Sequence, residues 1–281
     1  VRRKLVVNVL LALLVGGLAL WMVLRPEAPQ EPTHALSDTR AADAKEIRVT
    51  RDGLPEIVLQ KRGTRWVQTS PFEARTDGPQ AQRLLDLLSA QSKVAFPAED
   101  LARFELDRPV ARLAIDDQTF AFGMANPLTG DQYVLTRDRV YLVSPVYGYG
   151  LPTQVDSMVT HMLLAEDELP TRFVFPAFRV ERSEGKWVAA PRAEGTDGVS
   201  QDDLVRWTEE WRLSSSLATR PATGPATGEA VRIDLQNGHT IELRVLRRSP
   251  ELVLRRLDEA LDFVFQADKA DRLLSPPTAG Q

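Results

Sequence analysis

Residues 5–24 form an apolar run, LVVNVLLALLVGGLALWMVL, in which Asn8 is the one strongly polar side chain. Beyond it the pattern changes to short stretches in which apolar and polar residues alternate, the period-two signature of half-buried strands. Residues 46–51 alternate this way; 56–61 and 64–68 follow, with Arg62-Gly63 between them as a tight hairpin. Later pairs share a strand face in the same manner: Leu113 with Ile115, Phe120 with Phe122, Ile233 with Leu235, Ile241 with Leu243, Phe263 with Phe265. Asp116-Asp117 and Asn237-Gly238 are the turn signals between neighbouring strands.

Three stretches carry helical spacing instead. Residues 79–91 place Ala81, Leu84, Leu85 and Leu88 on one face, with Asp77 or Gly78 as cap and Pro79 in the first turn. Ser200 with Asp203 reads as a capping box, followed by the stripe Leu204, Trp207, Thr208 and Trp211. Residues 152–164 set Val155, Met158, Val159, Met162 and Leu163 on one side, which predicts a helix packed between two units.

The chain also repeats itself. Trp66-Val67 precedes Thr76-Asp77-Gly78 and a helix, as Trp187-Val188 precedes Thr196-Asp197-Gly198 and a helix. Arg112-Leu-Ala-Ile lines up with Arg232-Ile-Asp-Leu, Tyr133-Val-Leu with Leu252-Val-Leu, and Val140-Tyr-Leu-Val with Leu261-Asp-Phe-Val. Landmarks in one order at one offset mark a duplicated unit. The expectation is an α+β fold: an N-terminal transmembrane helix followed by two tandem repeats of mostly antiparallel sheet, each covered by a helix. The boundaries are 1–25 for the cytoplasmic tip and spanning helix, 26–44 for a Pro-rich linker and 45–150 for the first repeat. A connecting helix over 151–170, the second repeat over 171–274 and a disordered tail over 275–281 complete the chain.

The apolar run is about 30 Å long as a helix, enough to cross a bilayer. Arg2, Arg3 and Lys4 precede it and Trp21 lies near its far end, which predicts a cytoplasmic N-terminus and an outward-facing remainder. A cleaved signal would have a shorter core and a small-x-small site; Trp21-Met22-Val23-Leu24-Arg25-Pro26 offers none, so the segment reads as an uncleaved anchor.

Composition narrows the chemistry. A formal charge of -4 over 281 residues argues against nucleic-acid binding. With no cysteine there is no disulfide, thiolate nucleophile or Cys-type zinc site. His34, His161 and His239 lack metal-ligand spacing, and no nucleophile elbow or P-loop occurs, so no catalytic residue, metal or cofactor is expected. Asp116-Asp117 is a turn and not a catalytic pair, and Glu166-Asp167-Glu168 reads as solvated surface. Candidates for partner binding are Tyr147 and Tyr149 in a Tyr-Gly-Tyr-Gly loop, and Asn126 and Tyr133 in a segment with Gly123, Pro127 and Gly130. Turn formation and packing account for the same residues as well.

Leu101-x-x-Phe104-Glu-Leu-Asp107-Arg-Pro109, then Gly123-Met-Ala-Asn126-Pro127-Leu-Thr-Gly130-Asp-Gln-Tyr133-Val134 and Val140-Tyr-Leu-Val, resembles the bacterial domain-of-unknown-function family DUF4340. Glu105 departs from it, since the family often carries Gly in this turn. The resemblance carries no activity. It implies an accessory role beside ABC-type, gliding-motility-like transporters, with an ABC permease or auxiliary subunit as partner. The resulting expectation is a single-pass protein of the bacterial inner membrane with a periplasmic scaffold module. The alternatives are a periplasmic enzyme acting on an envelope polymer through cleft carboxylates, and a small-ligand sensor.

Overall fold

Alternating residues pair as hairpins from the first strands onward. The structure is a computed structural model that describes residues 13–18, 21, 32–190 and 199–278. In the first unit, β1 (His34–Ala35) precedes β2 (Glu46–Thr50), β3 (Ile57–Arg62), β4 (Arg65–Ser70) and β5 (Ala74–Arg75). After a cover helix, Gly78–Leu85, come β6 (Gln91–Ser92), β7 (Ala95–Pro97), β8 (Ala111–Ile115), β9 (Gln118–Ala125), β10 (Gln132–Thr136) and β11 (Arg139–Val143). The second unit opens with β12 (Pro170–Val174), β13 (Arg179–Ser183) and β14 (Lys186–Ala190), then its own cover helix, Gln201–Arg212. It closes with β15 (Ala218–Pro221), β16 (Glu229–Leu235), β17 (Thr240–Arg247), β18 (Glu251–Arg256), β19 (Leu261–Gln266) and a helix, Asp268–Leu274.

The first large sheet runs β5-β4-β3-β2-β8-β9-β10-β11-β7 and the second β14-β13-β12-β16-β17-β18-β19-β15, all antiparallel, while β1 and β6 form a small third sheet. From β4 and β14 onward the two orders correspond strand for strand, with Trp66 and Trp187 on equivalent strands. Each cover helix lays its apolar stripe on one face of its sheet. Ala81, Leu84 and Leu85 meet Ile47, Leu59, Leu113 and Phe120; Leu204, Trp207 and Trp211 meet Phe173, Ile233 and Phe263. Burial of each Leu, Ile or Phe among these contributes about 1.5–3 kcal/mol. Asp77 caps the first helix by accepting from the Gln80 backbone N–H, and Ser200 with Asp203 forms the capping box of the second.

The α+β expectation is corrected: the described residues are mostly β, 40% strand against 20% helix, in three sheets. Helix is scarce because the covers are short. The first ends at Leu85 and tightens into a 3-10 turn over Asp86–Ser89, short of Gln91. The helix expected over 152–164 does not form; those residues make turns and two isolated bridges, Thr76 to Val159 and Met162 to Ser215. Their apolar side chains serve two cores, Met158 in the first and Val159 and Leu163 in the second. Residues 33–44, placed in the linker by composition, belong to the first unit, with Leu36 and Ala44 fully buried. The tail is packed as far as Pro277, and Trp207 Nε1 donates to the Ser275 carbonyl at 3.1 Å. No helix among the described residues is long and apolar enough to cross a membrane. Of the apolar run, residues 13–18 and 21 are described and helical; the rest of that expected span lies outside the described residues.

Candidate functional site

The segment between the units is a strap of turns with one bridge to each unit. On one side Asp77 N–H donates to Met158 O at 2.8 Å and Thr160 N–H to Arg75 O at 2.9 Å. On the other, Leu163 N–H donates to Ser214 O and Ser216 N–H to His161 O. Each half of the strap thereby satisfies backbone groups at an edge of one unit. Phe72 and Ala74 of the first unit complete the joint by packing into the second core.

Two arginines, one from each unit, grip the strap at one carbonyl. Arg75 donates to Met162 O and to Leu163 O at 2.9 and 3.1 Å, and pairs with Glu259. Arg256, whose side chain is 2% exposed, donates to Leu163 O at 2.8 Å and makes a forked pair with Glu168 at 2.8 and 2.5 Å. Asp258 accepts from Arg256 at 2.9–3.2 Å. Burial alone would raise the Glu168 carboxyl, but the Arg256 hydrogen bonds and charge outweigh it and hold Glu168 below the usual range. Burial pushes Glu259 up, and the charges of Arg75 and Arg256 only partly offset it. Arg256 itself is raised, its acidic partners overcoming burial.

Two recesses flank the joint. One of about 930 Å³ has Trp66, Pro79, Met162, Leu164 and Leu213 on its apolar wall, with Arg75 among its polar groups. The other, about 550 Å³, is lined by Arg65, Asp167, Glu168, Asn237, His239 and Asp258. The carboxylates there are occupied: Asp167 pairs with Arg65 at 2.5 Å, and Glu168 and Asp258 with Arg256. The joint is built to hold two bodies together by desolvated charge-assisted bonds.

The partner-binding candidates lie at one end of the first sheet. Asn126 Nδ2 donates to the Tyr133 hydroxyl at 3.2 Å, and the Tyr133 ring lies 4.6 Å from Phe104. Tyr147 and Tyr149 stand on a short helix, Val146–Tyr149, rather than in a loop. Tyr147 packs against the first core, whereas Tyr149 is 83% exposed. Gln132 links the two groups: its amide donates to Gly123 O at 2.5 Å and approaches Gly148 so closely that a Cβ there would fall 2.5 Å from Oε1. Gly123 is needed for its own reason, since a Cβ would sit 2.1 Å from Phe104 O.

Of the histidines, His34 is exposed on β1, His161 Nδ1 lies 3.1 Å from Ser216 O in the strap, and His239 lines the smaller recess. Among the described residues no group of three or more His, Cys, Asp or Glu side chains is placed to hold a metal. Asp116 holds its turn, accepting from Lys45 and Glu46 N–H at 3.0 and 2.8 Å. Sequence reasoning missed Arg75, Arg256, Glu168 and Glu259. The Glu166-Asp167-Glu168 run is surface only in part, for Glu168 turns inward onto Arg256. No pattern marked them: Arg255-Arg256 end a strand whose Leu252, Val253 and Leu254 are apolar without alternation, so nothing separates these arginines from ordinary strand-end charges.

No curated protein and no solved structure matches the chain. A family model described as "Domain of unknown function (DUF4340)" matches residues 66–219, from Trp66 on β4 through the strap to Thr219 on β15. With more than half of its length covered, the chain belongs to the DUF4340 family.

Proposed function

We propose that the protein is a non-enzymatic accessory subunit of the bacterial envelope. It is tethered to the inner membrane by residues 5–24 and carries its twin-sheet body on the periplasmic side. There it braces another envelope component, in the leading case an ABC-type permease or its auxiliary subunit. The observation that carries this reading is the strap joint, where two sheets of matching order are held through a shared carbonyl and buried Arg–carboxylate pairs. Its buried charges hold the units to each other, which suits a load-bearing arm. The apolar run and its basic flank support the tether and its direction.

Co-purification of the tagged full chain in mild detergent, with identification of what accompanies it, tests the role. Stoichiometric recovery of an ABC permease is the expected result. Turnover of envelope polymer by the full chain, abolished by substitution of Asp167 or Asp258, would replace the brace with an enzyme.

The larger recess favours a second reading, a small-ligand sensor, because its wall of Trp66, Pro79, Met162, Leu164 and Leu213 suits an apolar small molecule. Ligand-dependent thermal stabilisation in a metabolite screen would support it.

A further inference from the structure

The end of the first sheet that carries the candidate tyrosines has an unusual surface. Among the described residues of the first unit the large exposed hydrophobic side chains are Phe96, Val110, Leu128, Val146 and Tyr149. Four of these five lie at one end of the sheet. Val110 precedes β8, Leu128 tips the β9–β10 turn, and Val146 and Tyr149 follow β11. Leu128 is 93% exposed, Tyr149 83% and Val146 60%. Gathered apolar exposure of this kind marks a contact surface.

The path of the chain says what covers it. His34 pairs with Ser92, and Ser92 Oγ donates to Leu142 O at 2.7 Å, so the chain enters the body level with the top of β11. That is a few residues from Val146, at the same end of the sheet. Eight residues separate Leu24, the last of the apolar run, from Thr33, and the nine steps between them reach at most about 30 Å. The second unit joins at β5, the far edge of the nine-stranded sheet, and its β16–β17 turn lines a recess with Arg65 of the β3–β4 hairpin, at the strand end opposite Val146.

We infer that this end of the first unit, with Leu128, Val146 and Tyr149 foremost, rests on the bilayer interface, and that the β16–β17 turn of the second unit is held away from it. The inference depends on the tethered reading above. An amphipathic Tyr ring beside short aliphatic side chains suits headgroup depth, where an apolar body and a polar tip are both satisfied. The body then stands on the membrane by two attachments, the tether and this footing, which fix its direction as well as its distance.

The native chain has no cysteine, so one introduced thiol is the only one labelled. Full-length Tyr149→Cys and Asn237→Cys, each carrying an environment-sensitive fluorophore, are reconstituted in vesicles of phosphatidylethanolamine and phosphatidylglycerol. Asn237, in the β16–β17 turn, reports on the second unit. The expected result is loss of more than half the emission at position 149 with brominated acyl chains, and none at 237. A chain that floats with the vesicles but shows position 149 open to aqueous iodide overturns the footing and leaves the tether standing. Protection from iodide without quenching by brominated lipid assigns the surface to a protein and overturns the footing as well. A chain that does not float overturns the tether and the footing together.

Discussion

On β4, Gln68 is fully buried in register with Leu59 and Ala74, and neither end of its amide finds a partner among the described residues. A buried polar group left unpaired costs about 1–3 kcal/mol. Gln68→Met keeps the volume and removes that cost, so chemical denaturation should show a gain of about 1 kcal/mol. A loss would mean the amide is satisfied after all. Glu105 is a second strained position, with φ at 55° in the left-handed region. Holding a side chain there costs about 1–2 kcal/mol, which the extra freedom of glycine in the unfolded chain partly offsets. Glu105→Gly should be at least as stable as the parent and Glu105→Val less stable by more than about 1 kcal/mol, compared by thermal unfolding. The family pattern made Glu105 legible in the sequence, because a glycine habit at a turn signals positive φ. Gln68 was not, since a lone amide between apolar neighbours looks the same whether it is bonded or stranded.

The strap is the element that sequence periodicity misread. Met158, Val159 and Leu163 face two cores in turn while Met162 lines the larger recess, and a bridge to each unit uses the backbone groups a helix would have used. Hydrophobic spacing reports which side chains are buried but not which edge waits for the backbone. By contrast, both cover helices were legible from their caps, Asp77 and Ser200, which act locally. The charges at the strap set its response to pH. Glu168 sits below the ordinary carboxylate range, so its stabilisation is complete above that range and is lost as pH falls from it through the lowered value. Glu259, raised by burial, contributes with the opposite sign: stability from it grows as pH falls through its raised value. Glu168→Gln strips one partner from the buried Arg256 and should cost about 3 kcal/mol at neutral pH. Urea titrations across pH should also show the acid-side loss of stability flattened in the variant. An unchanged acid limb would remove Glu168 from the joint's energetics.

At the scale of the whole molecule, the duplication was legible because landmarks recur at one offset, and the matching strand orders are its structural counterpart. The class was not, because a sheet of eight or nine short strands outweighs a single cover helix of 8 or 12 residues. What no sequence pattern carried is the joint, where Phe72 and Ala74 enter the partner core and Leu163 O is shared by Arg75 and Arg256. An arm that braces a partner must move as one piece, and this joint is what makes the two units one piece. Spin labels on Thr129→Cys in the first unit and Asn237→Cys in the second, on the full chain, measure that directly by dipolar spectroscopy. A single narrow distance distribution, broadened when Arg256→Met is added, is the predicted result. A broad or two-peaked distribution in the otherwise native protein would show two bodies on a loose connector, and the brace would be contradicted.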